Sequence, residues 1–246
     1  NTMWKNDFSQ WSDAVVKAPG MPRNHLYLGN AHKDAAFASS EKAEEMTHWE
    51  EARKAYTQAI SLNSQSDLAL RALNNLGAVS FVLNDIESAE KAYRQAVEIN
   101  PQYADALVNL GTIYHEKARM NPNREQAQAL FSESASYYRK ALRLLPNHAD
   151  AWANMGLAFF EMGDYSKAIK AYERSHYLNP RNHRLLNNLG NYYATLGQRA
   201  VQDDESRRAN LQKAVHYFHQ SMQLSPPGEM NNPRYGLKIV EELLSQ

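Results

Sequence analysis

Seven asparagines stand out, because a carboxamide can donate and accept hydrogen bonds at once. Asn75, Asn109, Asn154 and Asn188 each sit two residues before a glycine, and Asn74, Asn187 and Asn191 add to the row. A ladder of such amides can hold an extended peptide by its backbone without reading its sequence. Tyr27 takes the same place in the first occurrence, while Phe81, Val82 and Phe160 fall one helical turn further along. Aromatics exposed there would form an apolar anchor for a ligand, and packing against an adjacent helix is the competing reading.

Histidine offers less. Among nine histidines, only His216 and His219 present ring nitrogens at i and i+3 on one helical face. A metal would need a further carboxylate or imidazole nearby in space. Neither a glycine-rich phosphate loop nor an H-E-x-x-H motif is present, so the sequence predicts no catalytic residue, no metal site and no cofactor.

Charge points the same way. Lys plus Arg equals Asp plus Glu at 27 each in 246 residues, which gives no electrostatic reason to expect nucleic acid or an anionic membrane. A mixed, neutral surface fits a protein or extended peptide as partner. The absence of cysteine excludes disulfides, thiolate metal sites and a cysteine nucleophile. No apolar run approaches the roughly 18 residues of a membrane span.

The elements that must position the amides come from an internal repeat. AWANMGLAFFEMGDYSKAIKAYERSHYLNP (151 to 180) aligns with LRALNNLGAVSFVLNDIESAEKAYRQAVEINP (70 to 101) at glycine, alanine, aromatic and proline positions. One set is Trp152, Met155, Gly156, Phe159, Ala168, Tyr172, Ser175 and Pro180; the other is Leu73, Leu76, Gly77, Ser80, Ala89, Tyr93, Ala96 and Pro101. Two antiparallel helices approach closely only where side chains are small, so Gly156 and Ala168 mark the crossing. Proline then ends the second helix. Leu28-Gly29, Leu110-Gly111 and Leu189-Gly190 repeat the signal, with second helices carrying Ala52/Tyr56/Ala59, Ser134/Tyr138/Ala141 and Ala214/Phe218/Ser221.

These five registered matches resemble the tetratricopeptide repeat (TPR) family. The resemblance implies an all-α, right-handed solenoid of antiparallel helix pairs, with the first helix of each pair lining a concave face. It therefore places the asparagine row in a groove, and that row resembles the asparagine ladder in the TPR superhelix of the nucleocytoplasmic O-linked N-acetylglucosamine transferase. Because asparagine is common at this position across the family, plain consensus usage is the alternative. The carboxylate clamp of co-chaperones needs lysine and arginine across successive first helices; here the row reads Leu26, Asn74, Val108, Ala153 and Asn187.

The glycines at 29, 77, 111, 156 and 190 are separated by 48, 34, 45 and 34 residues. From glycine to second-helix aromatic the distance is 16 in the even repeats and 27, 27 and 28 in the odd ones. Each odd repeat thus carries about 11 extra residues, about three helical turns to be shared between its two helices. Ala127, Leu130 and Phe131 keep helical spacing through one insert, favouring long hairpins over loose loops. The domain is read as 1–246, with a half-repeat helix at 4–18, repeats at 22–65, 70–103, 104–148, 149–182 and 183–226, and a capping helix at 232–245.

Both ends extend the pattern. Asn232 and Pro233 read as N-cap and first residue of a last helix whose Leu237, Val240 and Leu244 form one stripe. That helix is expected to cover the last repeat, or else to fold back into the groove. At the start, Trp11, Ala14 and Pro19 fall in register as an orphan second helix, with Trp4 and Phe8 on the face of Trp11. The segment from Trp4 to Gly29, W-K-N-D-x-x-x-W-x-D-A-V-x-K-A-P-x-x-x-R-x-x-x-x-L-G, resembles a junction in polytopic membrane proteins similar to protein O-mannosyltransferases. In those proteins a TPR tail follows a membrane-embedded glycosyltransferase region. The resemblance implies a non-enzymatic, extracytoplasmic binding tail; the alternatives are a cytoplasmic location and a free-standing scaffold for a pilus or secretion assembly.

Overall fold

A computed structural model describes residues 3–200, 202–226 and 233–245. Those residues form twelve α-helices and no strand. The chain divides between Lys117 and Ala118 into two compact units. The expected packing of the Trp4 side chain and the expected cap at Asn232 lie outside the described residues and side chains.

The first unit holds α1 (Met3–Lys17), α2 (Pro22–Ala38), α3 (Lys42–Leu62), α4 (Asp67–Val82), α5 (Ile86–Ile99) and most of α6 (Ala104–Met120). The second holds α7 (Arg124–Leu144), α8 (Ala149–Glu161), α9 (Tyr165–Leu178), α10 (His183–Arg199), α11 (Asp204–Leu224) and α12 (Pro233–Leu244). Consecutive helices pack as antiparallel hairpins: α2 with α3 and α4 with α5 in the first unit, α8 with α9 and α10 with α11 in the second. This is the helix-pair architecture of a TPR solenoid.

The inserts are helical. Second helices of 21 residues (α3, α7, α11) alternate with second helices of 14 (α5, α9). The short hairpins turn through one left-handed residue, Asn84 at φ 61° or Gly163 at φ 78°, and Asp85 or Asp164 then caps the next helix. Asparagine and glycine are the residue types that adopt this conformation at least cost. The 21-residue helices α7 and α11 begin instead on the side-chain caps of Asn123 and Asp203.

Hairpins close on the glycines. A Cβ at Gly156 would lie 2.6 Å from the Tyr172 ring, and one at Gly77 would lie 2.5 Å from the Tyr93 ring. The glycine face of the first helix is therefore a seat for the aromatic of the second. At the far end of the second unit's hairpins, Ser175 Oγ donates to Ala149 O (2.8 Å) and Ser221 Oγ to His183 O (2.7 Å). A hydroxyl at the small-residue position thus satisfies a carbonyl at the start of its own first helix.

In the first unit, α1 packs on α2: Trp11 stacks on Tyr27 at 4.6 Å and 16°, and Phe8 meets His32 edge-on at 4.9 Å. Buried His32 is hydrogen-bonded to His48, with 3.1 Å between the two Nδ1 atoms. Burial holds the His32 imidazole below its usual pKa; His48 lowers it further, and Glu51 opposes the shift. With a depressed folded-state pKa, this contribution to stability is full above the ordinary histidine value of 6.5 and is lost as pH falls below it through the lowered folded-state value. Melting temperature should therefore fall between about pH 7 and pH 5, and His32→Phe should flatten that part of the profile; equal slopes would refute the assignment.

In the second unit, α12 lies on α11, with Leu237 and Val240 buried against Phe218 while Lys238, Glu241 and Glu242 stay exposed. Gly236 brings the α12 backbone down on the Phe218 ring, since a Cβ there would sit 2.6 Å from it.

Candidate functional site

The asparagines behave differently in the two units. In the first, Tyr56 Oη donates to Asn30 Oδ1 (2.9 Å), and Asn75 Nδ2 donates to the same oxygen (3.0 Å). Asn109 Nδ2 likewise donates to Asn74 Oδ1 at 2.9 Å. The amides of α2, α4 and α6 are thus joined to one another, and part of their capacity is spent on holding adjacent hairpins together. Tyr27 is occupied by Trp11 on one face, with Arg23 and Arg71 about its ring at 5.5 and 5.9 Å. Phe81 is half-buried on α4 and Val82 is exposed.

The second unit keeps its amides unspent. Asn154, Asn187 and Asn188 are half-buried and Asn191 is exposed, and among the described residues none of these side chains has a hydrogen-bond partner. Asn188 and Asn191 join Phe160 in a cleft of about 320 Å³ between α8, α10 and α12. Leu157, Ile239 and Val240 supply apolar wall, and Thr195, Gln198 and Glu161 supply polar rim. Asn154 and Asn187 do not line it. Phe160 is held by edge-on contact with Tyr165 at 5.6 Å and a tilted contact with Tyr192 at 6.4 Å.

Tyr172 also lines this cleft although it is fully buried, and its hydroxyl has no partner among the described residues. Burial, with smaller effects from Glu161 and Tyr192, pushes this phenol far above its usual pKa. It is therefore a neutral O–H donor at any physiological pH. Asn30, Leu157 and Tyr172 were not among the residues given a binding role from the sequence. The signal was there in the position after each repeat glycine, which reads Asn30, Ala78, Thr112, Leu157 and Asn191.

A larger cleft, about 570 Å³, lies between α3, α4 and α5 in the first unit. Two of its three cations are already paired: Arg53 with Glu50 (2.7 Å) and Asp85 (3.6 Å), Lys54 with Glu51 (2.6 Å). Size alone does not make it the better site, because little charge is left to attract a ligand. His216 and His219 are exposed on α11, and no group of three or more histidine, aspartate or glutamate side chains among the described residues could hold a metal.

Hairpins with a glycine seat, an aromatic wedge and a small-residue crossing define a helical-repeat protein. Residues 77–117 match the TPR repeat model and 149–182 the tetratricopeptide repeat model; these segments are tetratricopeptide repeats. Among solved structures, the chain is similar to a thermophilic TPR protein of Thermus thermophilus, with TM-score 0.64, 18% identity and coverage of 90% of this chain and 99% of that one. It is also similar to PilF of Pseudomonas aeruginosa (TM-score 0.67, 17% identity, 96% and 92% covered). A third likeness is to YrrB, described as a TPR protein with an unusual peptide-binding site (TM-score 0.58, 17% identity, 92% and 96% covered). Among curated proteins none matches the sequence.

Proposed function

We propose that the chain is a peptide-binding TPR module that captures an extended segment of a partner protein on the α8–α10–α12 face. The observation that carries this is the unspent Asn188 and Asn191 amides beside a half-buried aromatic, Phe160, in one cleft. A carboxamide pairs with either polar group of a peptide backbone, and Phe160 offers an apolar anchor. The peptide-binding site of YrrB supports peptide as the class of ligand. The test is selection of a binder from a random dodecapeptide array, followed by titration. Phe160→Ala should weaken it by about tenfold or more, and Asn75→Ala, whose amide is tied to Asn30, should do far less. Equal affinities for Phe160→Ala and the parent would move the site elsewhere.

We further infer that this module is the extracytoplasmic tail of a membrane glycosyltransferase-like protein, where it would bring acceptor polypeptide to the enzyme. The Trp4-to-Gly29 pattern supports this reading. No helix among the described residues is long and apolar enough to cross a membrane; the reading is tested on the gene sequence upstream of Asn1. A long run of apolar spans there would bear out the reading, and a short lipoprotein leader would replace it with a scaffold of a pilus or secretion assembly. The scaffold reading draws on the α2–α3 hairpin tip, where Phe37 is 73% exposed and Met46 37% exposed. Under it, Phe37→Asp would abolish assembly and leave peptide affinity unchanged.

A further inference from the structure

We propose that Tyr172 and Asn188 form a socket for one amide carbonyl oxygen of the bound polypeptide, a place that the chain's own Asn30 fills in the first unit. The inference rests on the peptide-binding reading above and specifies its central contact.

The comparison is internal. Tyr56 lies on Gly29 as Tyr172 lies on Gly156: a Cβ would meet each ring at 2.6 Å. The residue after the glycine is Asn30 in the first case and Leu157 in the second. Two residues before the next repeat's glycine stand Asn75 and Asn188. Where all three groups are polar, a single oxygen, Asn30 Oδ1, accepts from both the Tyr56 hydroxyl (2.9 Å) and Asn75 Nδ2 (3.0 Å). A carbonyl oxygen has two lone pairs, so this double acceptance saturates it.

In the second unit both donors are retained and the acceptor is gone. Leu157 cannot accept, and Ala153 stands three residues before its glycine where Asn74 does. Tyr172 Oη is buried and lacks a partner, Asn188 lacks one as well, and Leu157, Tyr172 and Asn188 line the same cleft. A buried hydroxyl without a partner is costly, of the order that one good acceptor would recover. What fits two neutral donors that line one cleft is a neutral carbonyl oxygen, the group that Tyr56 and Asn75 share in the first unit. The neighbouring Asn191 extends the same logic: it occupies the Asn30 position of its own repeat, but Phe218 has no hydroxyl to engage it, so its carboxamide remains for the next peptide unit.

The test uses the full chain and N-methylacetamide, the smallest mimic of a peptide bond, with acetamide as the mimic of an asparagine or glutamine side chain. The readout is the Asn188 side-chain N–H resonances. A saturable shift is expected in the parent, weakened about three- to tenfold in Tyr172→Phe and abolished in Leu157→Asn, which supplies the oxygen from within. Saturation by N-methylacetamide assigns the guest to a backbone carbonyl, and saturation by acetamide alone assigns it to a side chain. Equal shifts in all three proteins would overturn the socket. An array-selected peptide that responds to Phe160→Ala but not to Tyr172→Phe or Leu157→Asn would also overturn it, leaving the peptide-binding reading intact. Saturation by the amide with no peptide selected would leave the socket and remove that reading.

Discussion

Phe218→Ala should be the most damaging single truncation in the second unit, lowering stability by about 3–5 kcal/mol. Domain stabilities are about 5–15 kcal/mol, so this would take a large share. Phe218 is 0% exposed, and its ring is flanked by Gly190 of α10 and Gly236 of α12 while Leu237 and Val240 pack around it. Truncation removes the surface on which α12 rests. Circular dichroism should show an earlier melt, and hydrogen exchange should show α12 losing protection first. Because Ile239 and Val240 form one wall of the amide-lined cleft, ligand affinity should fall as well. Native-like protection of α12 in the variant would show that the helix is held by something other than this ring.

Gly156→Val is the second. The new Cβ would lie 2.6 Å from the Tyr172 ring and 3.2 Å from the carbonyl oxygen of Ala168. The ring is fully enclosed, and the carbonyl belongs to the facing helix, so neither can withdraw without parting α8 from α9. Overpacking of this kind costs about 1–3 kcal/mol and occasionally more, with a small added penalty for β-branching in a helix. Gly20→Ala is the matched control. Its Cβ would meet nothing within 4 Å, and the variant should gain about 0.4–1 kcal/mol from a stiffer unfolded chain. Similar melting temperatures for the two would dismiss the seat-and-wedge account.

The fold was legible because its determinants are local and periodic. Gly77 with Tyr93, and Gly156 with Tyr172, are steric pairs at fixed spacing, so their meaning survives without knowledge of the neighbours. The long odd hairpins could be read from the 27- and 28-residue separations, since an insert that keeps apolar spacing has little alternative to helix, whereas the 21-residue length of their second helices emerged only in the structure. The site was only half legible. Asparagine at the position two before the glycine marks a side chain on the first-helix face, but whether its amide is available depends on which residue the adjacent repeat places opposite it. Asn75 meets Asn30, and Asn188 faces a cleft whose Leu157 can give it nothing. Single positions read down one repeat do not carry that information; pairs of columns read across two repeats do. Tyr172 escaped notice for a related reason, because a wedge aromatic looks alike whether or not its hydroxyl is satisfied.

The bonded pairs Asn30–Asn75 and Asn74–Asn109 make the first unit, in effect, self-liganded. Its hairpins are pinned by directional bonds that an incoming peptide would have to break, so its spacing should respond little to any guest. The second unit has no such pins at Asn188 and Asn191 and gains its missing acceptors only when occupied. Ligand should therefore tighten α8, α10 and α12 while leaving α2 and α4 unchanged, an asymmetry visible in residue-level exchange rates. One column of the repeat, asparagine at position 30 and leucine at position 157, would then decide which hairpins are scaffold and which are receptor.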